Sequence, residues 1–446
     1  MASSRSIDAR KTLRKLFPTR WLKAAAVESG AVVRQRKVDP AVLFWTVVLG
    51  FGSGRQRTLA GLRRAYERAS GQCLEESSFY QRFNAGFSKL LEQALVRALA
   101  RDVGIGRALR GHLSKFVDVL ITDSTVLRLH ELLARHWPGC RTNHTPAALK
   151  AHWVMSVAGK GRQSVKLTSE REHDGPVFKV GPWVAGRLLL FDLGYYGFSL
   201  FERIGRNGGF FLSRLKASAN PTIVSVNRTH RGRKVELVGE KLQDVLAKLK
   251  REVLDVNIEV RVPRRRYNGR RRTVRKVFRL VGVRDPDADR YHLYVTNIAP
   301  EDLAAEHVQR TYALRWTVEL LFREMKQHYR LEDLPSRKPE VVKALVYAAA
   351  LTMLASRTLP HAVRQALGRA GVRLKEHRWA TLFTSIAADL LLLLARPPRE
   401  TGVLNLLLCR MLLHEAPDPN VKRKSLLQAV ETGTHRYRQR LEPCLA

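Results

Sequence analysis

The chain has 446 residues, 45% hydrophobic and 27% charged, which excludes global disorder and at this length suggests about two to four domains. Lys plus Arg number 79 against 40 Asp plus Glu, a formal net charge of +39; a surface that basic repels itself unless a polyanion neutralises it, either nucleic acid or an anionic membrane. Cys73, Cys140, Cys409 and Cys444 lie far apart with no CxxC pair, which disfavours a disulfide framework or a cysteine-rich zinc site and fits a reducing cytosol.

The first element is helical. Ala41, Val42, Phe44, Trp45, Val48 and Leu49 recur at helical spacing, and the opening MASSRSIDARKTLRKLFPTRW lacks the apolar run of a secretory signal. FGSGRQRTLAGLRRAYERA places a Gly-Ser-Gly turn before a basic helix; a helix-turn-helix and a plain helical bundle both fit it. Residues 1–110 are therefore expected to form a helical, DNA-binding N-terminal region.

From about 115 the texture changes. FVDVLITD (116–123), HWVMSV (152–157), SVKLTS (164–169), LLLFD (188–192) and GFFLSRL (209–215) read as strands, with GFSLFERIG (197–205) as a helix. This pattern predicts a mixed α/β core, its first part at 111–216. Residues 217–299 read as a β-rich, basic insertion: TIVSV, VNIEVRV, TVRKVFRLVGV and YHLYVTNI carry strand signals. Within it, eight of the 15 residues of 262–276 are Arg or Lys around an Asn-Gly turn, so Arg264, Arg265, Arg266, Arg270, Arg271 and Arg272 are expected on a DNA-binding hairpin.

A long helix is expected from Glu301 to about Tyr329 in the second part of the core, 300–372, followed by a helical C-terminal region at 373–446. The apolar runs at 344–355 and 390–394 are shorter than the roughly 20 residues a bilayer needs. They read as buried helices, and no membrane partner is expected.

The long helix carries the most specific chemistry. Stepping about 100° per residue from Tyr312, Arg315, Glu319 and Lys326 fall near 300°, 340° and 320°, so the four polar residues share an arc of roughly 60° beside the apolar stripe. Ordinary i,i+4 pairing on a surface helix produces such stripes too. Partners are needed for phosphodiester chemistry. Asp123 and Asp192 sit at the ends of expected strands, and three converging carboxylates suit Mg²⁺, two ions of which can clamp an in-line displacement. Each Asp alone is equally a turn or cap residue.

Tyr312-x2-Arg315-x3-Glu319-x6-Lys326 resembles the tyrosine–arginine–glutamate–lysine signature of DDE transposases of the insertion-sequence-four family, at all four spacings. Asp123-Ser124-Thr125 and Asp192-Leu193-Gly194-Tyr195 resemble its first and second acid blocks, and Lys150-x-His152 and His173-Asp174 the stretch between. The resemblance covers about 118–330 and implies a ribonuclease-H-like mixed-sheet catalytic core with a β-rich insertion, flanked by helical regions. It implies that Asp123, Asp192 and Glu319 are the catalytic, metal-binding triad for Mg²⁺ or Mn²⁺, and that Tyr312, Arg315 and Lys326 contact DNA phosphates. Leu193 departs from the pattern where many members carry a basic residue; Asp174 and Glu324 are the rivals for the second and third acids. The function so implied is DNA transposition in a bacterial cytoplasm: cutting at terminal inverted repeats and joining 3′-OH ends to target DNA, with a homodimer pairing the ends. A Mg²⁺-dependent structure-specific nuclease on the same fold, or an inactive DNA-binding relative, are the alternatives.

Overall fold

The computed structural model describes residues 7–34, 38–56, 58–102, 109–140, 145–158, 163–228, 236–263, 273–285, 287–288, 290–329, 331–332, 334–367 and 376–417. Arg264, Arg265, Arg266, Arg270, Arg271 and Arg272, and the tail from 418 on, lie outside them.

Among the described residues six α-helices come first: α1 (Ala9–Leu16), α2 (Thr19–Glu28), α3 (Pro40–Thr46), α4 (Leu59–Ser70), α5 (Glu76–Tyr80) and α6 (Ala85–Asp102). Asp8, Asp39 and Thr58 cap α1, α3 and α4 by accepting from first-turn amides. The Gly-Ser-Gly turn lies between α3 and α4. A Cβ on Gly52 would lie 1.9 Å from Thr352 Oγ1, so the turn is packed tightly onto a C-terminal helix.

Among the described residues nine strands form one sheet: β1 (Asp118–Arg128), β2 (Ala148–Ser156), β3 (Ser164–Ser169), β4 (Arg187–Phe191), β5 (Phe210–Arg214), β6 (Thr222–Val226), β7 (Val253–Pro263), β8 (Thr273–Asp285) and β9 (Arg290–Thr296). Their order is β3-β2-β1-β4-β5-β9-β8-β7-β6. The first three are antiparallel, while β4 and β5 run parallel to β1, which is the ribonuclease-H-like arrangement. The strands of the β-rich insertion extend this same sheet, because β9 hydrogen-bonds directly to β5.

The remaining helices are α7 (Asp174–Val177), α8 (Phe198–Arg206), α9 (Leu242–Lys248), α10 (Ala305–Tyr312), α11 (Trp316–His328), α12 (Pro339–Leu367), α13 (Glu376–Ala395) and α14 (Pro398–Glu415). Strand alternation sorts the core onto two faces. Val119, Ile121, Leu188 and Leu190 join the large cluster with the N- and C-terminal helices, whereas Leu120, Leu189, Phe191 and Phe211 pack with α8 and α9 on the other face. The fold is thus a sheet between a thick helical layer and a thin one. N- and C-terminal helices interlock: Arg14 donates to the Leu394 carbonyl at 3.0 Å, and Cys409 to that of Ile7 at 2.7 Å. Pro339–Leu367 and Arg378–Ala395 are long and apolar enough to cross a membrane; 83% and 56% of their most apolar windows are buried inside the fold.

Two expectations need correcting. The helix begins at Ala305, not Glu301, and tightens into a 3₁₀ turn over Ala313–Arg315 before α11. Three steps at about 120° instead of about 100° rotate Tyr312 by roughly 60° relative to Glu319. And Asp123 does not end its strand: β1 runs on to Arg128, because Ser124, Thr125, Val126 and Leu127 continue the pairing with β2.

Candidate active site

The site is built by register. β1 and β4 are parallel neighbours with Thr122 opposite Phe191, so the next residues, Asp123 and Asp192, stand side by side. Both continue the alternation of Ile121 and Leu190 and therefore face the helical layer. α11 crosses that face, with Phe322 edge-on to Trp153 at 6.2 Å. This docking presents Glu319 to the two aspartates.

Arg315 lies at the centre. Its Nη1 is 2.6 Å from Glu319 Oε1, 3.5 Å from Asp123 Oδ2 and 3.9 Å from Asp192 Oδ1. All three acids thus reach one nitrogen, and no two of these oxygens can be farther apart than the sum of their distances to it. The side chains of Asp123, Asp192 and Glu319 are 13%, 42% and 28% exposed, so one acid is sunk and two open outwards. Burial pushes the Asp123 carboxyl up to about 7; Arg315 opposes this, while Asp192 and Glu319 reinforce it. Burial alone would lower the Arg315 guanidinium, but Tyr312 and the three carboxylates outweigh it and hold Arg315 charged. Arg315 Nε is buried with no hydrogen-bond partner.

Among the described residues no group of three His, Cys, Asp or Glu side chains is close enough to enclose a metal ion. The donor chemistry nevertheless fits one. Three hard carboxylates, the oxygen donors that Mg²⁺ or Mn²⁺ takes, face a single guanidinium. Arg315 stands in the space between them.

The other expected residues are placed as follows. Tyr312 is buried, and its hydroxyl donates to the Phe191 carbonyl at 3.1 Å. It offers no surface to a phosphate, because the 3₁₀ turn swings it onto the end of β4. Lys326 Nζ meets Glu332 Oε1 at 2.8 Å. Glu324 is buried against Arg357 at 2.7 Å, well away from the acids. Asp174 is also outside the triad, engaged by Lys150 Nζ at 3.1 Å. Sequence reasoning missed this second polar knot and the central place of Arg315. The Lys150-x-His152 and His173-Asp174 pairs were its only signal.

The fold is thus a mixed α/β core with three acids gathered beside the paired strands β1 and β4. The comparisons agree at the level of family: the transposase DDE domain matches residues 115–355, and the chain belongs to that family. It is 20% identical to the transposase for insertion sequence element IS1151 of Clostridium perfringens over 68% of this chain and 69% of that one. With the transposase for insertion sequence element IS231F of Bacillus thuringiensis subsp. israelensis it shares 21% identity over 80% of each chain. A putative transposase InsL for insertion sequence element IS186A of Escherichia coli is 32% identical over 17% of this chain and 20% of its own length. Among solved structures, a piggyBac transposase synaptic complex with hairpin DNA aligns with a TM-score of 0.46 and 10% identity over 95% of this chain and 88% of that one.

Proposed function

We propose that this protein is a cut-and-paste transposase of the insertion-sequence-four type. It cuts at the terminal inverted repeats of its element and joins the 3′-OH ends to target DNA by metal-dependent phosphoryl transfer in a bacterial cytoplasm. The convergence of Asp123, Asp192 and Glu319 on one cationic atom carries this reading.

The three carboxylates would hold Mg²⁺ or Mn²⁺, two ions in all, supplying acidity for the attacking group and charge neutralisation at the phosphate. Asp123 forms the dry floor of the site, and Asp192 and Glu319 its open wall, which orients the scissile backbone. Arg315 and Lys326 lie on the helix beside the acids and would take DNA phosphates. Tyr312 instead steadies the end of β4 through the Phe191 carbonyl. Its hydroxyl, pushed up by burial and directed into the protein, is unsuited to attack DNA, so no covalent protein–DNA link is expected. The arginines between β7 and β8 extend the phosphate grip, and affinity should fall steeply with salt. Two element ends require two protomers, hence a homodimer in the paired complex.

Incubating the protein with end DNA, Mg²⁺ and a supercoiled target tests the proposal. Joined products that vanish in Asp123→Asn, Asp192→Asn and Glu319→Gln are expected. Cutting without joining would point to a nuclease, and end binding without cutting in either Mg²⁺ or Mn²⁺ to a non-catalytic relative.

A further inference from the structure

Behind the triad lies a second cluster with no part in the proposed chemistry. Asp174, at the start of α7, accepts from Lys150 Nζ at 3.1 Å and lies 3.5 Å from His152 Nδ1. Lys150 is fixed from its other side by the Glu172 carbonyl at 3.1 Å. The His152 ring bridges onward: Nδ1 is 3.1 Å from the Tyr195 hydroxyl and Nε2 is 2.8 Å from Thr168 Oγ1. Thr168 directs its own proton to the Ser169 carbonyl, so it accepts from Nε2–H. Nδ1 is then free to accept from Tyr195.

Three features tie this cluster to Asp192. Tyr195 closes the turn that Asp192 opens, its amide donating to the Asp192 carbonyl at 3.1 Å. Tyr195 is also wedged among Phe178 and Phe191, with ring centroids 6.5 and 6.0 Å away. In addition, a Cβ on Gly194 would lie 2.4 Å from Asp174 Oδ2. The carboxylate therefore rests directly on the turn backbone, and only glycine leaves room for it. The turn after β4 is held from below by Asp174 and at its end by His152.

We propose that Lys150, His152 and Asp174 are positioning residues that lock the Asp192–Tyr195 turn, so that the Asp192 carboxylate stands beside Asp123. This rests on the metal-site reading of the triad. It gives Asp174 a role distinct from that of a ligand: its charge anchors Lys150 and braces Gly194. A phosphate or metal need never touch it. Partners that orient a ligand carry a measurable share of metal affinity, commonly about 10–100-fold.

The test uses the full-length protein and its Asp174→Asn variant, with Lys150→Arg as the conservative control. Amide hydrogen exchange reports the turn, and Mn²⁺ titration with end DNA bound reports the triad. For Asp174→Asn, faster exchange is expected over 192–196, with β1 and β4 unchanged. Its Mn²⁺ midpoint should rise by about tenfold, at unaltered melting temperature and end-DNA affinity. Lys150→Arg should behave as wild type. Should Asp174→Asn fold poorly, Tyr195→Phe removes only the hydroxyl and should show the same two changes. Unchanged exchange over the turn, or faster exchange with an unmoved Mn²⁺ midpoint, overturns the proposal alone. If wild type and Asp192→Asn take up Mn²⁺ equally poorly, the metal reading falls and this proposal with it.

Discussion

At the scale of single residues, Arg315 decides how the unliganded site survives. Three carboxylates drawn together repel one another, and the guanidinium 2.6 Å from Glu319 and 3.5 Å from Asp123 offsets that repulsion. Removing one partner of a buried charge cluster costs about 3–5 kcal/mol. The open Asp192, 42% exposed, contributes least because water screens it. Arg315→Met should therefore melt earlier than wild type in metal-free buffer, and Mn²⁺ should raise the variant's melting temperature more than the parent's. Equal Mn²⁺ shifts in a thermal scan would contradict the idea that Arg315 and a cation serve the same carboxylates. Tyr312 makes a smaller, separable claim. Tyr312→Phe deletes its bond to the Phe191 carbonyl, a cost of about 0.5–1.5 kcal/mol. Denaturant unfolding measures that loss. End cleavage should persist with no DNA linked to the wild-type protein; a covalent adduct would replace this account with a tyrosine recombinase.

At the scale of elements, the strands were legible because each is a short branched or aromatic run, and β3 falls on SVKLTS without a shift. The start and tightening of the long helix were not. Ala313, Leu314 and Arg315 are ordinary helix formers, so local propensity does not mark the 3₁₀ turn that follows Tyr312, whose hydroxyl bonds to the end of β4. Glu319 and Arg315 were recognisable as a pair at i,i+4. That two distant aspartates would face the same guanidinium follows from parallel register, which local sequence does not encode. The join between α10 and the segment leading into β1 adds a pH-dependent element. His112 and His307 stack at 4.5 Å with nearly parallel rings, and His112 Nε2 and His307 Nδ1 are buried without partners. Burial, then His307 and Arg310, push His112 from 6.5 down to about 4. Between those values the unfolded chain takes up the proton and the folded one does not, so stability present above pH 6.5 is lost as pH falls. His112→Phe cannot take up that proton, and its melting temperature should fall less steeply from pH 6.5 to 4 than that of wild type. Parallel curves would remove His112 from the acid sensitivity.

At the scale of the whole molecule, composition correctly pointed to a globular chain, and alternation to a mixed core. The apparent division of the chain into successive regions did not carry into space. Helices from both ends share one apolar cluster, and the strands of 217–299 lengthen the central sheet. Contacts between residues some 300–400 positions apart, such as Thr352 with the Val48 carbonyl, leave no local trace in the sequence. One consequence concerns surgery on the gene. A segment that reads as removable is here stitched to β5 through Leu212, Ser213 and Arg214. Excising 217–299 would bare that strand's amides and carbonyls as a sticky ribbon, and the shortened protein should precipitate on expression. A soluble, monomeric remnant in gel filtration would show that the seam can be cut. What looks like an inserted segment is therefore a supporting wall, and its root at β5 and β9 is where the protein should tolerate change least.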